Sequence, residues 1–192
     1  MTGANVESVE RIDLRHIRRA FGHRLAIKFL MARMFIREKR PLRSPVPLIF
    51  VCKGNICRSV YAEAYARSVG LEASSAGLDA APGRGADPTA IAIAARRGID
   101  LNDHRTRRLN DQTSHRPSLF LALEPSLARR AVQQLSPDEN VGCLGSLGSE
   151  KAPLIPDPYG LGGEAFHLAF DLIEHHVDAL VEDWAASRSP GS

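Results

Sequence analysis

The sequence predicts an α/β fold, a three-layer αβα sandwich with a short, mostly parallel four-stranded sheet between helices. Three observations lead to this fold. Short apolar runs, typical of buried parallel strands, alternate with longer segments of helical periodicity. Glycine and proline cluster between these segments, where turns are expected. A chain of 192 residues, of which 44% are hydrophobic, is long enough to bury one sizeable core.

Residues 1–45 differ from the rest of the chain and are predicted to form a basic amphipathic helix and a linker. They hold 11 Lys/Arg and 4 Asp/Glu, a net charge of +7, whereas residues 46–192 hold 14 Lys/Arg and 18 Asp/Glu, a net charge of −4. Apolar side chains recur at helical spacing, at Ile27, Leu30, Met31, Met34 and Phe35. Prolines at positions 41, 45 and 47 then end the helix.

Charge and periodicity leave three interpretations of this extension open. The helix packs on the domain or on a second copy of the chain, it binds a membrane surface, or the segment is disordered. No nucleic-acid partner is expected. Charged residues interrupt the apolar stretches, so the segment does not resemble a secretory signal, and no run of about 18 apolar residues predicts a transmembrane helix. Three cysteines fit a reducing compartment, which predicts a cytoplasmic protein, with a peripheral membrane location as the alternative.

Residues 46–186 are predicted to form the α/β domain, in which strands and helices alternate. The predicted strands are 48–51, 72–76, 119–123 and 141–144. The predicted helices are 59–69, 87–95, 124–135 and 165–184. Glycine- and proline-rich loops are expected over 77–86 and 145–163, and a disordered tail over 187–192.

Local signals support the helix boundaries. Gly70 ends the first helix of the domain, and Asp87 followed by Pro88 is typical of a helix start. The last helix has an apolar face formed by Phe166, Phe170, Ile173, Val177 and Leu180. His175 and His176 of the same helix are expected at the surface.

The stretch FVCKGNICRS places Cys52 at the end of the first predicted strand and Arg58 at the start of the following helix. Backbone N–H groups of such a loop, together with the helix N-terminus, favour a bound anion and the thiolate form of a cysteine. The Arg58 guanidinium can hold two oxygens of that anion. No Gly-Lys-Ser/Thr sequence follows the glycine, so this is not a Walker loop. The spacing predicts that Cys52 attacks the phosphorus of a bound phosphate ester.

The residues between these two also suit an anion-binding loop. Gly54 and Asn55 are residue types that tolerate left-handed backbone. The Ser59 hydroxyl is positioned to donate to the thiolate that leaves in the second step. The predicted phosphate-binding loop consists of Lys53, Gly54, Asn55, Ile56, Cys57 and Ser59.

The stretch VCKGNICRS resembles the V-C-x-G-N-x-C-R-S signature of the low-molecular-weight protein-tyrosine phosphatases. Three weaker motifs of that family follow in order. They are Ser75-Ala76-Gly77, then Gly98-Ile99-Asp100 with His104 and Arg105, and finally Asp157-Pro158-Tyr159. The resemblance covers roughly residues 47–184 and leaves residues 1–45 outside it.

The resemblance implies a protein phosphatase that hydrolyses phosphotyrosine in two steps through a cysteinyl phosphate. Without it, Asp157 is equally well explained as a turn residue, since Asp-Pro is common in turns. With it, Asp157 protonates the leaving oxygen and then activates water, while Tyr159 lines the pocket mouth. No cofactor and no metal are expected, because Arg58 and the loop amides stabilise the developing charge.

The resemblance also assigns roles around the loop. Ser75 and His104 join Ser59 in hydrogen bonds that hold Asn55. Cys57 is expected either to form a reversible disulfide with the nucleophile under oxidation or to be a small packed thiol. Cys143, in a predicted strand, is expected in the core.

Departures from the family pattern leave the substrate preference open. Lys53 adds positive charge at the pocket rim. The loop LDAAPGRGAD after Gly77 supplies no Trp or Tyr to contact a substrate ring, and Gly160 follows Tyr159 where eukaryotic members often have a second aromatic residue. Two other functions compete with the phosphatase. Thiol-dependent arsenate reduction needs further cysteines, of which only Cys143 lies beyond the loop. A non-catalytic phosphate-binding module would not need Cys52 and Asp157.

Overall fold

The computed structural model describes residues 46–111, 117–147 and 154–188 of the chain. The helix and linker predicted within residues 1–45 lie outside the described residues, as do residues 189–192 of the predicted tail. Within the described part, no helix is long and apolar enough to cross a membrane.

In the described part of the chain, four strands form one sheet with the order β2-β1-β3-β4, and every neighbouring pair is parallel. The strands are β1 Leu48–Cys52, β2 Ala73–Gly77, β3 Leu119–Ala122 and β4 Asn140–Cys143. Each predicted strand is present, with its ends shifted by one residue or matched to the prediction. The sheet is entirely parallel, where the sequence predicted a mostly parallel one.

The helices of the described chain also follow the prediction. They are α1 Arg58–Ser68, α2 Pro88–Arg96, α3 Pro125–Gln134 and α4 Gly163–Arg188. The Asp87 side chain caps α2, because its Oδ1 accepts from the backbone N–H groups of Thr89 and Ala90 at 2.8 and 3.2 Å. The helix α4 continues through Arg188, beyond the predicted start of the tail. Two short 3₁₀ helices, Leu109–Asp111 and Leu144–Ser146, were not predicted.

The strand order explains the three layers. The crossover from β1 to β2 runs in one direction across the sheet, and the crossover from β3 to β4 runs in the other. Right-handed connections therefore place α1 and α3 on opposite faces. The helix α4 packs against α1, where the rings of Tyr61 and Phe170 stack with centroids 3.7 Å apart.

The core lies on both faces of the sheet. All five residues of β1 and all four of β3 are buried, which agrees with their continuous apolar sequences. In α4, His175 is exposed but His176 is buried, so the prediction of two surface histidines was wrong for His176. Adjacent helical residues point about 100° apart, and one of the two reaches the buried side of the helix.

The strand order also determines where a ligand can bind. The chain adds β2 on one side of β1 and β3 on the other, so the two connections leave the sheet in opposite directions. In open parallel sheets such a reversal opens a crevice at the carboxyl ends of the strands. Cys52 is the last residue of β1 and lies at that crevice.

Candidate active site

The loop from Cys52 to Arg58 curls around the sulfur of Cys52. The backbone N–H of Asn55 donates to Cys52 Sγ at 3.2 Å, and Ser59 Oγ lies 2.9 Å from the same sulfur. Asn55 has φ 55°, and among the described residues it is the one non-glycine with a positive φ. This left-handed turn directs its N–H at the sulfur. Cys52 is 3% exposed, so these contacts surround a largely desolvated thiol.

The segment after β2 holds the loop from outside. Backbone N–H groups of Leu78 and Asp79 donate to the carbonyls of Cys52 and Lys53 at 3.0 and 2.8 Å. Gly77 makes this approach feasible, because a Cβ there would lie 2.8 Å from the Lys53 carbonyl oxygen and 2.9 Å from the Asn55 nitrogen. The glycine of the Ser-Ala-Gly motif is therefore required by close backbone packing.

The side chain of Asn55 is fully hydrogen-bonded. Its Nδ2 donates to Ser59 Oγ at 3.0 Å and to Ser75 Oγ at 2.8 Å. Its Oδ1 accepts from the backbone N–H of Arg107 at 2.8 Å, and its backbone carbonyl lies 2.8 Å from His104 Nε2. The structure thus brings Ser59, Ser75 and His104 together around Asn55.

The bond between His104 and Asn55 defines the protonation of the imidazole. Since the Asn55 carbonyl can only accept, Nε2 of His104 carries a hydrogen. Burial lowers the pKa of His104, while the hydrogen bond to Asn55 raises it in part. The ring is therefore a neutral donor near neutral pH.

Arg58, the first residue of α1, is 2% exposed and contacts two acidic residues. Its Nη1 donates to Glu124 Oε2 at 3.2 Å and to the carbonyl of Ile155 at 2.9 Å. Its Nη2 lies 2.8 Å from Asp157 Oδ2. Sequence analysis found Asp157 but missed Glu124 and Ile155. Glu124 follows β3 closely, at the carboxyl edge of the sheet next to β1. This position could have predicted that Glu124 lies near the loop that follows β1.

Asp157 makes one contact through each of its carboxylate oxygens. Besides the ion pair with Arg58, its Oδ1 accepts from the backbone N–H of Tyr159 at 3.4 Å, as in a turn. Its side chain is 46% exposed. Tyr159, two residues further along the chain, is 62% exposed, so its ring is open to solvent.

The segment after β2 carries an ion pair instead of an aromatic side chain. Arg130 of α3 holds both oxygens of Asp79, with Nη2 to Oδ1 at 2.6 Å and Nη1 to Oδ2 at 3.1 Å. The Arg130 hydrogen bonds lower the pKa of Asp79, and the charge of Lys53 contributes in the same direction. This ion pair occupies the segment that lacks Trp or Tyr in the sequence.

All three cysteines are free thiols in the structure, and all are buried. Burial is the main cause that raises the pKa of Cys57, with added repulsion from Asp87 and Cys52. Burial also raises the pKa of Cys143, in β4, to about 12. Within the described ranges, no cluster of three or more His, Cys, Asp or Glu side chains is arranged to hold a metal ion.

Comparison with known proteins identifies the family. The sequence model of the low-molecular-weight phosphotyrosine protein phosphatase family matches residues 47–189. The chain belongs to this family. Its curated relatives include the "probable low molecular weight protein-tyrosine-phosphatase EpsP" of Ralstonia solanacearum, which is 36% identical over 136 residues, or 70% of this chain and 92% of the relative. Wzb of Escherichia coli K12 is 35% identical over 131 residues, or 66% of this chain and 87% of Wzb.

Solved structures of related enzymes share the fold of this phosphatase. The YwlE arginine phosphatase from Geobacillus stearothermophilus matches with a TM-score of 0.66 and 29% identity, covering 75% of this chain and 96% of YwlE. Vibrio vulnificus Wzb in complex with benzylphosphonate matches with a TM-score of 0.62 and 27% identity, covering 71% of this chain and 97% of Wzb. The family match covers residues 47–189, so all of residues 1–45 lie outside it.

A substitution at Gly77 tests the packing of the loop. We expect Gly77→Ala to lower the free energy of unfolding by about 1–3 kcal/mol, because its Cβ would overlap backbone atoms. The matched control is Gly85→Ala in the same segment, where an added Cβ meets no atom within 4 Å. The control should change stability by less than about 1 kcal/mol. Urea unfolding of both variants measures the difference, and equal stabilities would contradict the packing role of Gly77.

Proposed function

We propose that this phosphatase hydrolyses phosphotyrosine in proteins, with Cys52 as nucleophile, Arg58 as phosphate ligand and Asp157 as general acid. The observation that carries the proposal is the convergence of these three groups. The Cys52 sulfur receives the N–H of Asn55, and the Arg58 guanidinium at the end of the same loop lies 2.8 Å from Asp157. The names of EpsP and Wzb as protein-tyrosine phosphatases support the substrate class.

In the first proposed step, the phosphate binds in the loop. The Arg58 guanidinium and the loop amides hold the nonbridging oxygens, and the Cys52 thiolate attacks phosphorus opposite the ester oxygen. The phosphate competes with Asp157 for the guanidinium. A carboxylate that loses its cation and lies beside a phosphate dianion takes up a proton, which it then donates to the leaving phenoxide.

In the second proposed step, water hydrolyses the cysteinyl phosphate. Asp157, now ionised, accepts a proton from the water as it attacks phosphorus. The sulfur leaves as a thiolate, which the Ser59 hydroxyl at 2.9 Å and the Asn55 N–H at 3.2 Å stabilise. Glu124 and the Ile155 carbonyl hold Arg58 throughout.

The pocket mouth supports an aryl ester as substrate. The Tyr159 ring is exposed next to Asp157, where a phenyl ring above the loop would contact it. The related Wzb of Vibrio vulnificus was solved with benzylphosphonate, which has an aryl group. The side formed by Lys53 and the Asp79–Arg130 pair provides polar contacts for residues that flank the phosphotyrosine.

Two substitutions test the mechanism. We expect Cys52→Ser to abolish turnover of a phosphotyrosine peptide and of p-nitrophenyl phosphate. Asp157→Asn should slow hydrolysis of the peptide by roughly 100–10,000-fold. Hydrolysis of p-nitrophenyl phosphate should slow less, because nitrophenolate leaves more readily without a proton. Rates are measured without added metal at mildly acidic pH. Asp138→Asn, an exposed aspartate outside the site, is the matched control and should keep full activity.

The same assay separates the competing functions. A phosphoarginine peptide is included because the related YwlE is an arginine phosphatase. Faster turnover of this peptide than of the phosphotyrosine peptide would contradict the proposed substrate class. Thiol-dependent reduction of arsenate without ester hydrolysis would support the reductase. Phosphate binding with no turnover of either compound would support a binding module.

We also propose that Cys57 protects the nucleophile during oxidation. Hydrogen peroxide converts the Cys52 thiolate to a sulfenic acid, and the Cys57 sulfur then displaces hydroxide to form a disulfide that added thiols reduce. The raised pKa of Cys57 makes it a poor first target of peroxide, which supports Cys52 as the sulfur that is oxidised first.

Reactivation after oxidation tests this role. After peroxide and then dithiothreitol, we expect the wild type to recover most of its activity and Cys57→Ala to recover little, since unprotected sulfenic acid oxidises further. The buried Cys143→Ala is the matched control and should recover like the wild type. Equal recovery of the Cys57 variant would contradict the proposal.

For residues 1–45 we propose docking on an anionic membrane surface, supported by their net charge of +7 and their apolar stripe. The full chain should co-sediment with vesicles that contain phosphatidylserine, less so at high salt, and not with phosphatidylcholine vesicles. Replacing Arg33, Arg37, Lys39 and Arg40 by Gln should weaken binding several-fold. Concentration-dependent dimerisation without vesicle binding would favour self-association instead.

The proposed location is the cytoplasmic side of a membrane or the cytoplasm itself.

A further inference from the structure

A continuous chain of hydrogen bonds runs from a buried carboxylate in α1 to the sulfur of Cys52. Glu63 Oε2 lies 2.5 Å from Ser75 Oγ, and Ser75 Oγ lies 2.8 Å from Asn55 Nδ2. Asn55 Nδ2 also lies 3.0 Å from Ser59 Oγ, which lies 2.9 Å from Cys52 Sγ. We call this series Glu63, Ser75, Asn55, Ser59 and Cys52 the Glu63 relay. We propose that Glu63 is a positioning residue that fixes the direction of the Ser75 hydroxyl and, together with the Arg107 backbone, the orientation of the Asn55 amide on which the hydrogen bond from Ser59 to Cys52 depends.

The direction is set at the carboxylate. Glu63 is 6% exposed and lies between two guanidinium groups, those of Arg67 at 2.9 Å and Arg107 at 2.9 and 3.1 Å. A buried carboxylate paired with two cations is ionised, and an ionised carboxylate only accepts hydrogen bonds. The Ser75 hydroxyl must therefore donate to Glu63.

The orientation of Asn55 follows from both of its neighbours. Because the Ser75 proton points at Glu63, Ser75 presents a lone pair to Asn55, so the group facing it must be Nδ2. Independently, the backbone N–H of Arg107 donates to Oδ1 of Asn55 at 2.8 Å. Arg107 thus acts twice, since its side chain binds Glu63 and its backbone orients the amide. The amide cannot flip without placing donors against donors.

The last link reaches the thiol. The second hydrogen of Asn55 Nδ2 points at Ser59, so Ser59 accepts there and keeps its own proton for Cys52 Sγ. The sulfur therefore receives both the Ser59 hydroxyl and the Asn55 N–H, which favours the thiolate. If the hydrogen bond between Ser59 and Cys52 ran in the opposite direction, Ser59 would present a lone pair to the sulfur and disfavour the thiolate.

Neutralising Glu63 has two effects of opposite sign. Removal of a nearby negative charge, taken alone, favours the Cys52 thiolate. In the relay, however, the two arginines of the Glu63→Gln variant would orient the oxygen of the new amide toward themselves and turn its NH₂ toward Ser75. Ser75 would then accept from that amide and direct its proton at the Nδ2 hydrogens of Asn55. The sign of the change in thiolate formation therefore distinguishes the relay from simple charge.

The test is the pH dependence of Cys52 alkylation by iodoacetamide, with the modified site located by mass spectrometry. For Glu63→Gln we expect the midpoint to rise by about half a unit to one unit, the equivalent of one lost hydrogen bond. The acidic limb of phosphotyrosine kcat/KM should move in parallel. The exposed Glu182→Gln in α4 is the matched control and should leave the midpoint unchanged. A lowered or unchanged midpoint in folded Glu63→Gln overturns the proposal.

A double-mutant cycle with Ser75→Ala tests the path through Ser75. If the relay operates, Ser75→Ala raises the midpoint alone, and Glu63→Gln adds nothing further in that background. Additive shifts, or an unchanged midpoint in Ser75→Ala, overturn the proposal. Circular dichroism checks folding. If Glu63→Gln fails to fold, Ser75→Ala decides, because it leaves both arginine pairs of Glu63 in place.

The inference rests on Cys52 as the proposed nucleophile. Alkylation reports on the thiol even in an inactive protein, so an inert wild type would contradict the proposed function without deciding the relay.

Discussion

The left-handed backbone of Asn55 is the constraint on which the rest of the site depends. A φ of 55° costs most residues with a Cβ roughly 1–2 kcal/mol and asparagine less, and this turn directs the Asn55 backbone N–H at the Cys52 sulfur. The conformation persists because the backbone carbonyl and both ends of the side-chain amide are hydrogen-bonded. An aspartate or glycine would keep the turn but lose the donor to Ser59.

The groups that hold Asn55 come from distant parts of the chain, so the fold as a whole supports the local strain. Ser75 lies in β2, next to β1 in the sheet, and His104 and Arg107 lie in the segment that follows α2. The Arg107 carbonyl in turn accepts from the backbone N–H of Gly77 at 2.9 Å. The reversal of strand order brings these segments together at the carboxyl end of β1.

Sequence analysis located the features that depend on local order. The strand, the loop from Cys52 to Arg58 and the following helix are encoded within a few residues, and the hydrophobic periods gave the other elements to within one to four residues. Glu63 and Arg107 were missed, because a single acidic residue in an α1 segment rich in alanine and tyrosine is typical of an exposed position. Only tertiary packing against β2 buries Glu63 and pairs it with Arg107. The burial of His176 was missed for the same reason.

In the proposed mechanism, two carboxylates bind different nitrogens of Arg58 and have different roles. Glu124 and the Ile155 carbonyl bind Nη1, and Asp157 binds Nη2. Glu124 is the N-cap residue of α3, whereas Asp157 lies in a loop with Gly160 and Gly162 at positive φ. When Asp157 exchanges its cation for a proton, the guanidinium therefore keeps its position through Nη1. A single carboxylate could not both fix Arg58 and leave it, so the general acid needs Glu124 as its counterpart.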